Sequence, residues 1–340
     1  MTGRPDGHPP LPPRRVGVLL VNLGTPDDAS PKAVKRYLAE FLSDPRVVEI
    51  PQLVWQPILR GIILQTRPRK SAANYAKVWD HDAGDSPLRV ITRAQAEALQ
   101  AELPDAIVDW AMRYGRPSIH ERMTALKELG CDRILLAPLY PQYSAATTAT
   151  VVDKAFETLR RWRWQPAMRT MPPYHDDPVY IDALARSIQA GLAALDFEPE
   201  VVIASFHGMP ERTLRLGDPY HCQCQKTGRL LRERLSWPDH RLRVTFQSRF
   251  GRAEWLKPYT DATLAGLPGE GIRRVAVVAP GFSADCLETL EEIAMQGRET
   301  FEHAGGLHFA YFPCLNATET GITMLRKLVS RELEGWVTPA

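Results

Sequence analysis

Cysteine is scarce in this sequence: five among 340 residues, an odd number. No disulfide framework is expected, and a reducing compartment is. Charge of one sign is not in excess. Lys and Arg number 42 and Asp and Glu 40, a formal net charge of +2, which gives no support to a nucleic-acid partner. No uninterrupted apolar run reaches the ~18 residues of a membrane-spanning helix. The N-terminus lacks the apolar stretch of a secretory signal. Phosphate-cradling motifs are missing too: Gly24-Thr25-Pro26 lacks the later glycines of a dinucleotide loop, and no GxxxxGK[ST] occurs. Hydrophobic residues make up 44% and charged residues 24%, proportions that argue against bulk disorder. What remains is a soluble, cytoplasmic protein long enough for two domains.

Five prolines fall within residues 1–14 (Pro5, Pro9, Pro10, Pro12, Pro13), which reads as a disordered arm. Beyond it, short apolar runs alternate with amphipathic stretches. The runs are Val16–Leu23, Ile134–Leu139, Val201–Phe206, Leu242–Phe246, Val275–Val278 and Leu307–Phe312, with a weaker one at Ala106–Met112. Their lengths suit strands buried on both faces. Ser30 before Pro31 is an N-cap with proline at N1, and Val34, Tyr37, Leu38, Phe41 and Leu42 give one apolar helical face that Asp44-Pro45 ends. Ser118–Leu129 predicts a second helix, closed by Gly130.

This alternation predicts an α/β fold: two similar Rossmann-like domains, each a roughly four-stranded parallel sheet flanked by helices, with the active-site cleft between them. The expected domains are 15–172 and 173–317, with a C-terminal helix at 318–340 packing back on the first. In such folds ligands bind beyond the carboxyl ends of the strands, so residues just after each run are the candidates.

His207 ends the Val201 run, before Gly208 and Pro210. It is either a strand-end histidine bonded to backbone or a proton acceptor and metal ligand. Glu288 and Glu292 stand at i, i+4 on a helix whose apolar face is Leu287, Leu290, Ala294, Gly297 and Phe301, and Gln296 continues the ridge. By itself the ridge reads as a solvated acidic face; alternatively it binds a cation or relays protons. His221-Cys222-Gln223-Cys224 offers soft ligands without a second pair at zinc-finger spacing, so free thiols are the favoured reading. Leu53-Val54-Trp55 and Ile58–Leu64 carry more apolar residues than one core-facing stripe needs. Arg67, Arg69 and Lys70 follow. The 53–70 segment is either a buried core helix, the default, or, as the basic tail favours, a lip that touches a membrane peripherally and admits an apolar substrate.

In combination these residues resemble the ferrochelatase family, over about Val16 to Thr318. The likeness rests on Val18-Leu19-Leu20-Val21-Asn22-Leu23-Gly24-Thr25-Pro26, Tyr140-Pro141-Gln142-Tyr143-Ser144, Ser205-Phe206-His207-Gly208-Met209-Pro210 with Gly217-Asp218-Pro219-Tyr220, Phe246-Gln247-Ser248-Arg249, and Glu288-Thr289-Leu290. The resemblance implies insertion of ferrous iron into protoporphyrin IX to give protohaem, with Fe²⁺ as substrate. It implies His207 and Glu288 as catalytic residues, Arg113, Tyr114, Tyr140 and Trp255 as substrate-binding residues, and His207, Glu288 and Glu292 on the metal. The family's third ridge position is usually acidic and here is Gln296. Cys286 stands where many members have His.

Animal-type members place one [2Fe-2S] ligand just after the Gln-Tyr-Ser motif and three in a cysteine-rich C-terminal extension. Here those positions hold Ala145 and Gly335–Ala340, so no animal-type cluster is expected. The partners implied are protoporphyrin IX and Fe²⁺, and the chain is expected to be a monomer or homodimer, at most peripheral at the inner face of a membrane. Rival readings are a chelatase of the same fold for coproporphyrin and iron or for a corrinoid precursor and cobalt, and a non-catalytic porphyrin or haem carrier. The His207–Glu288 pair argues against the carrier, and the apolar lip favours protoporphyrin over the more carboxylated coproporphyrin.

Overall fold

The computed structural model describes Gly7, residues 14–251 and residues 253–337. Most of the proline-rich arm, and the last three residues of the C-terminal segment, lie outside the described residues. Among the described residues, eight strands form two sheets: β1 (Arg15–Gly24), β2 (Ala106–Tyr114), β3 (Cys131–Pro138) and β4 (Ala167–Thr170) in one, and β5 (Val201–His207), β6 (Leu242–Gln247), β7 (Arg274–Val278) and β8 (His308–Phe312) in the other. The spatial orders are β2-β1-β3-β4 and β6-β5-β7-β8. Every pairing is parallel. The two sheets thus repeat one topology, with the first strand of each inside the sheet, and the expected architecture of paired four-stranded units is what is found. β4 is the strand without an apolar run to announce it. It has four residues, none buried.

Among the described residues, twelve α-helices flank the sheets: α1 (Pro31–Ser43), α2 (Gln52–Ile58), α3 (Leu64–Val78), α4 (Pro87–Glu102), α5 (Ile119–Glu128), α6 (Thr150–Leu159), α7 (Pro178–Ala193), α8 (Glu211–Arg215), α9 (Tyr220–Arg234), α10 (Thr260–Gly266), α11 (Arg298–His303) and α12 (Glu319–Leu333). The Ser30 hydroxyl caps α1 by accepting from the Ala33 amide at 3.2 Å, with Pro31 opening the helix. Ser118 and Glu121 close a reciprocal capping box on α5.

One continuous apolar core runs through both sheets. Val18, Leu20 and Leu135 of the first and Val202, Ala204 and Phe206 of the second belong to it, joined through Ile181 of α7 and Leu325 and Val329 of α12. The chain end returns to the first sheet: Arg133 donates to the Trp336 carbonyl at 3.1 Å, and the Arg169 guanidinium lies 4.3 Å from the Trp336 ring.

The largest departure from expectation is at Glu288–Gly297, which winds as a π-helix. Apolar spacing had pointed to an α-helix with Leu290 and Ala294 inward. The wider turn instead buries Thr289, Glu291, Ile293 and Gly297, and leaves Leu290 and Ala294 half-buried. Ile293 and Phe301 pack on Val201 and Val275 under the second sheet. Hydrophobicity cannot distinguish the two windings over so short a segment, because the backbone bond pattern, i→i+5 in place of i→i+4, sets the rotation.

Candidate active site

A glycine lets the carboxyl ends of β1 and β2 close on each other, and a second does the same for β5 and β6. Gly24 has φ +116°, and a Cβ there would lie 1.8 Å from the Tyr114 carbonyl oxygen. Gly208 follows His207, and a Cβ on it would stand 2.5 Å from the Gln247 carbonyl and 3.2 Å from the Trp255 ring. Any side chain at either position would drive the neighbouring strand end away.

His207 is the last residue of β5, in register with Gln247 on β6. Its Nδ1 lies 2.7 Å from the Gly208 carbonyl oxygen. A carbonyl can only accept, so Nδ1 carries the proton in the neutral ring and Nε2 keeps its lone pair. The backbone contact and the proton-acceptor role, set as alternatives by sequence, are compatible: the first prepares the second.

The π-helix lies across the ends of β5 and β6. Gln247 Nε2 donates to the Glu288 carbonyl at 2.8 Å. Glu292 receives the Ser248 amide at 2.7 Å and the Ser248 hydroxyl at 2.5 Å. Ser248 holds φ +66°, a left-handed conformation that costs a non-glycine residue about 1–3 kcal/mol, and its two bonds to Glu292 offset that strain. Burial pushes the Glu292 carboxyl above the usual carboxylate range and the charge of Glu288 adds to the rise, while the Ser248 bonds and the His207 imidazole act the other way. His207, Glu288 and Glu292 therefore share one electrostatic neighbourhood. Gln296 does not extend the ridge. Its amide turns to Glu291, donating at 2.8 Å to each carboxylate oxygen.

Arg113 and Tyr114 sit at the end of β2, facing a different space. Arg113 Nε donates to the Thr150 carbonyl at 2.8 Å, and its guanidinium pairs with Asp44 and lies 4.2 Å from the Tyr114 ring centre. The Tyr114 hydroxyl donates to the same Asp44 carboxylate at 2.9 Å. Both residues line an open cavity of about 1090 Å³ between α1, the turn after α2, and α6. His207, Glu288 and Trp255 do not line it. A small space of about 10 Å³ reaches Glu288, bounded by Thr25, Tyr75, Ser86 and Cys286 among others, room for about one water.

Tyr37 on α1 links the two regions. Burial raises its hydroxyl far above the ordinary tyrosine range, and Tyr75, Glu288, Tyr114 and Tyr140 add to the effect. Tyr140 is half-buried, its hydroxyl is buried and unpartnered, and burial raises it likewise. Tyr75 and Asp44 gave no sign in the sequence, and Tyr37 read simply as a core residue on the apolar face of α1. Trp255 is buried, its indole donating to the Phe250 carbonyl at 3.0 Å, with Pro210 as its backbone bridge partner.

Exposed apolar and basic side chains gather along 53–70. Leu53 is 93% exposed and Val54, Ile58 and Ile62 are exposed with it, whereas Trp55, Leu59 and Leu64 turn inward on Leu42. Arg60, Arg67, Arg69 and Lys70 are exposed beside them. Two contacts run from this region to the second half of the chain: Arg67 lies 5.0 Å from the Phe250 ring centre, and Arg212 meets Glu49 at 2.7 Å. The basic run at 229–243 is occupied internally, with Arg229, Arg232, Arg234, Arg241 and Arg243 each in an ion pair.

All five cysteines are free, and only Cys222 is exposed. Cys222 and Cys224 are two apart on α9 and point to different sides, so they form no chelating pair. Cys286 is buried beside Glu288, and burial and that carboxylate push its thiol well up. A small alkylating reagent is expected to add once to the folded protein, at Cys222, and at all five sites after unfolding. A second native adduct in the intact mass would contradict this burial. Among the described residues no group of three His, Cys, Asp or Glu gathers closely enough to hold a metal ion, and no helix is long and apolar enough to cross a membrane.

Comparison with known proteins gives a consistent result. Among solved structures, SirB from Bacillus subtilis, determined with Fe³⁺, superposes with a TM-score of 0.57 at 11% identity, covering 94% of this chain and 95% of that one. A second, the sirohydrochlorin chelatase SirB from Bacillus subtilis subspecies spizizenii in complex with cobalt, gives 0.56 at 10% identity, covering 94% and 96%. At such identity these show the shared fold. Sequence relatives are much nearer. The ferrochelatase of Rhizobium meliloti is 61% identical over 334 residues, 97% of this chain and 98% of that protein. That of Agrobacterium fabrum is 56% identical over 340 residues, 99% of each. The ferrochelatase family model matches residues 15–333, and on these findings the chain belongs to the ferrochelatase family.

Proposed function

We propose that His207 and Glu288 are the proton-accepting pair of an iron chelatase acting on protoporphyrin IX. As a ferrochelatase the chain is a lyase that inserts Fe²⁺ into a porphyrin, the terminal step of haem biosynthesis. Each insertion replaces two pyrrole protons with one metal ion, so the site must remove protons and pass on a cation. The observation that carries the assignment is the His207 ring: its Nδ1 is fixed by Gly208 and its Nε2 is left as a lone pair, beside Glu288 and Glu292. Fe²⁺ is cargo in this reading: His207, Glu288 and Glu292 are not gathered into a three-ligand cage, so each would contact the ion in passing before the macrocycle nitrogens take it over.

Units 15–172 and 173–317 act as jaws, with the segment from 318 packed back on the first. A macrocycle needs a site of several hundred Å³, far above the space beside Glu288, so the jaws part at the Arg67–Phe250 and Arg212–Glu49 contacts to admit it. Trp255 then forms a wall that holds the ring out of plane, using binding energy to expose its nitrogen lone pairs, and Tyr114, fully buried under Arg113 and bonded to Asp44, braces the first unit's side from behind. Tyr140 and Arg113 bind on the side of the first unit. No animal-type cluster takes part. Ala145 stands at the first ligand position, and its amide donates to Asp218 at 2.8 Å. The exposed apolar residues at 53–62, flanked by cations, seat the mouth peripherally on the cytoplasmic face of an anionic membrane.

The test is porphyrin choice. With Fe²⁺ under anaerobic conditions, kcat/KM for protoporphyrin is expected to exceed that for coproporphyrin by about 10–200-fold, the range an apolar site can discriminate. A reversed ratio would reassign the substrate to the more carboxylated ring.

A further inference from the structure

The site described above leaves one buried charge without a task. Glu291 lies between Glu288 and Glu292 in sequence, yet it is 2% exposed and engages neither of them. Its carboxylate meets Lys77 Nζ at 2.7 Å and both of its oxygens accept from Gln296 Nε2 at 2.8 Å. Lys77 belongs to the last turn of α3, the helix of the first unit that brings Tyr75 to the site. The π-helix belongs to the second unit. The Lys77–Glu291 pair therefore joins the two jaws through α3 and the π-helix.

The Glu291–Gln296 bond is specific to the winding. In an α-helix, residues five apart stand about 140° apart around the axis and cannot meet. In a π-helix, whose backbone bonds run i→i+5, the same residues are stacked. Reversion to α winding would break this bond. It would also rotate Glu288 and Glu292 relative to each other and draw Glu292 off Ser248.

We propose that Lys77, Glu291 and Gln296 form a positioning clamp that holds the π winding of 288–297 and its seat on α3, and so fixes where Glu288 and Glu292 stand against His207. None of the three touches substrate. The inference rests on the reading of Glu288 and Glu292 as the carboxylates that handle iron and protons.

The test compares Lys77→Met, Gln296→Leu and the exchange Glu291→Gln with Gln296→Glu, which keeps a carboxamide and a carboxylate five residues apart. Gln296 is exposed, so its variant folds even if the others are weakened. Two readouts are taken: KM for Fe²⁺ against KM for porphyrin, and hydrogen–deuterium exchange of the amides of 288–297. Lys77→Met and Gln296→Leu are each expected to raise the KM for Fe²⁺ about 10-fold, the lower end of the effect of residues that orient metal ligands. The porphyrin KM stays within about 2-fold of wild type on the same scale, and exchange across 288–297 is faster. The exchanged pair keeps the bond between positions 291 and 296 but leaves Lys77 against a carboxamide, so it is expected to slow amide exchange relative to Gln296→Leu while matching Lys77→Met in its KM for Fe²⁺. Unchanged amide exchange in Gln296→Leu overturns the clamp, and so does a parallel rise in both KM values. Failure of the wild-type chain to insert iron would instead overturn the reading of the site, and amide exchange would still report on the clamp.

Discussion

Replacing His207 with alanine is expected to lower kcat for iron insertion by about 10²–10⁴-fold, the usual contribution of a positioned general base, while porphyrin still binds. The expectation follows from local geometry. β5 delivers the ring to the strand end, Gly208 permits close approach to Gln247, and the Gly208 carbonyl holds Nδ1 so that Nε2 is the accepting atom. Removing the ring leaves Glu292 and Glu288 nearby, but the desolvated Glu292 loses the imidazole that favours its charged form. The residual rate reflects ring distortion and metal positioning alone. Steady-state kinetics of the purified variant decide it. A kcat within about 3-fold of wild type would remove His207 from the proton path, since a general base contributes far more.

Asp44→Ala is expected to destabilise the fold by about 3–5 kcal/mol, the cost of leaving a buried charge unpaired. The Asp44 and Arg113 side chains are 9% and 10% exposed in their ion pair. Asp44 also accepts the Tyr114 hydroxyl at 2.9 Å and the Arg46 amide at 2.9 Å. Truncation strands the guanidinium and the phenol together at the end of β2. Replacing both partners by apolar residues, Asp44→Leu with Arg113→Met, removes the stranded charge and is expected to recover most of the loss. Because one core joins both sheets, urea unfolding should report the change in a single transition. A cost below about 1 kcal/mol for Asp44→Ala would mean that the pair behaves as a solvated surface bridge.

The parts of the fold legible in sequence are those carried by continuous burial. Strands inside the sheets, such as Val18–Val21 and Val201–Phe206, are buried on both faces and therefore appear as unbroken apolar runs. β4 is short and half-exposed at a sheet edge, so nothing in its composition announces it. The site was legible where it follows such a run, as at His207. It was not legible where helices supply it. Tyr37 and Tyr75 look like ordinary core residues, and they gain meaning only from the arrangement of α1 and α3 beside Glu288. The Asp44–Arg113 pair spans 69 positions, beyond any local pattern. The carboxylate order at 288–296 depends on a winding that residue spacing does not encode, which is why Gln296 seemed to continue the ridge and Glu291 went unnoticed.

Porphyrin absorbance after anaerobic mixing of the purified chain with Fe²⁺ and protoporphyrin tests the central claim most directly. The free-base spectrum is expected to give way to that of protohaem in the wild-type protein. The same mixture with His207→Ala should stay free-base over the same interval and regain turnover when imidazole is supplied in solution. A wild-type chain that binds the porphyrin and leaves its spectrum free-base, with iron present, would contradict the account.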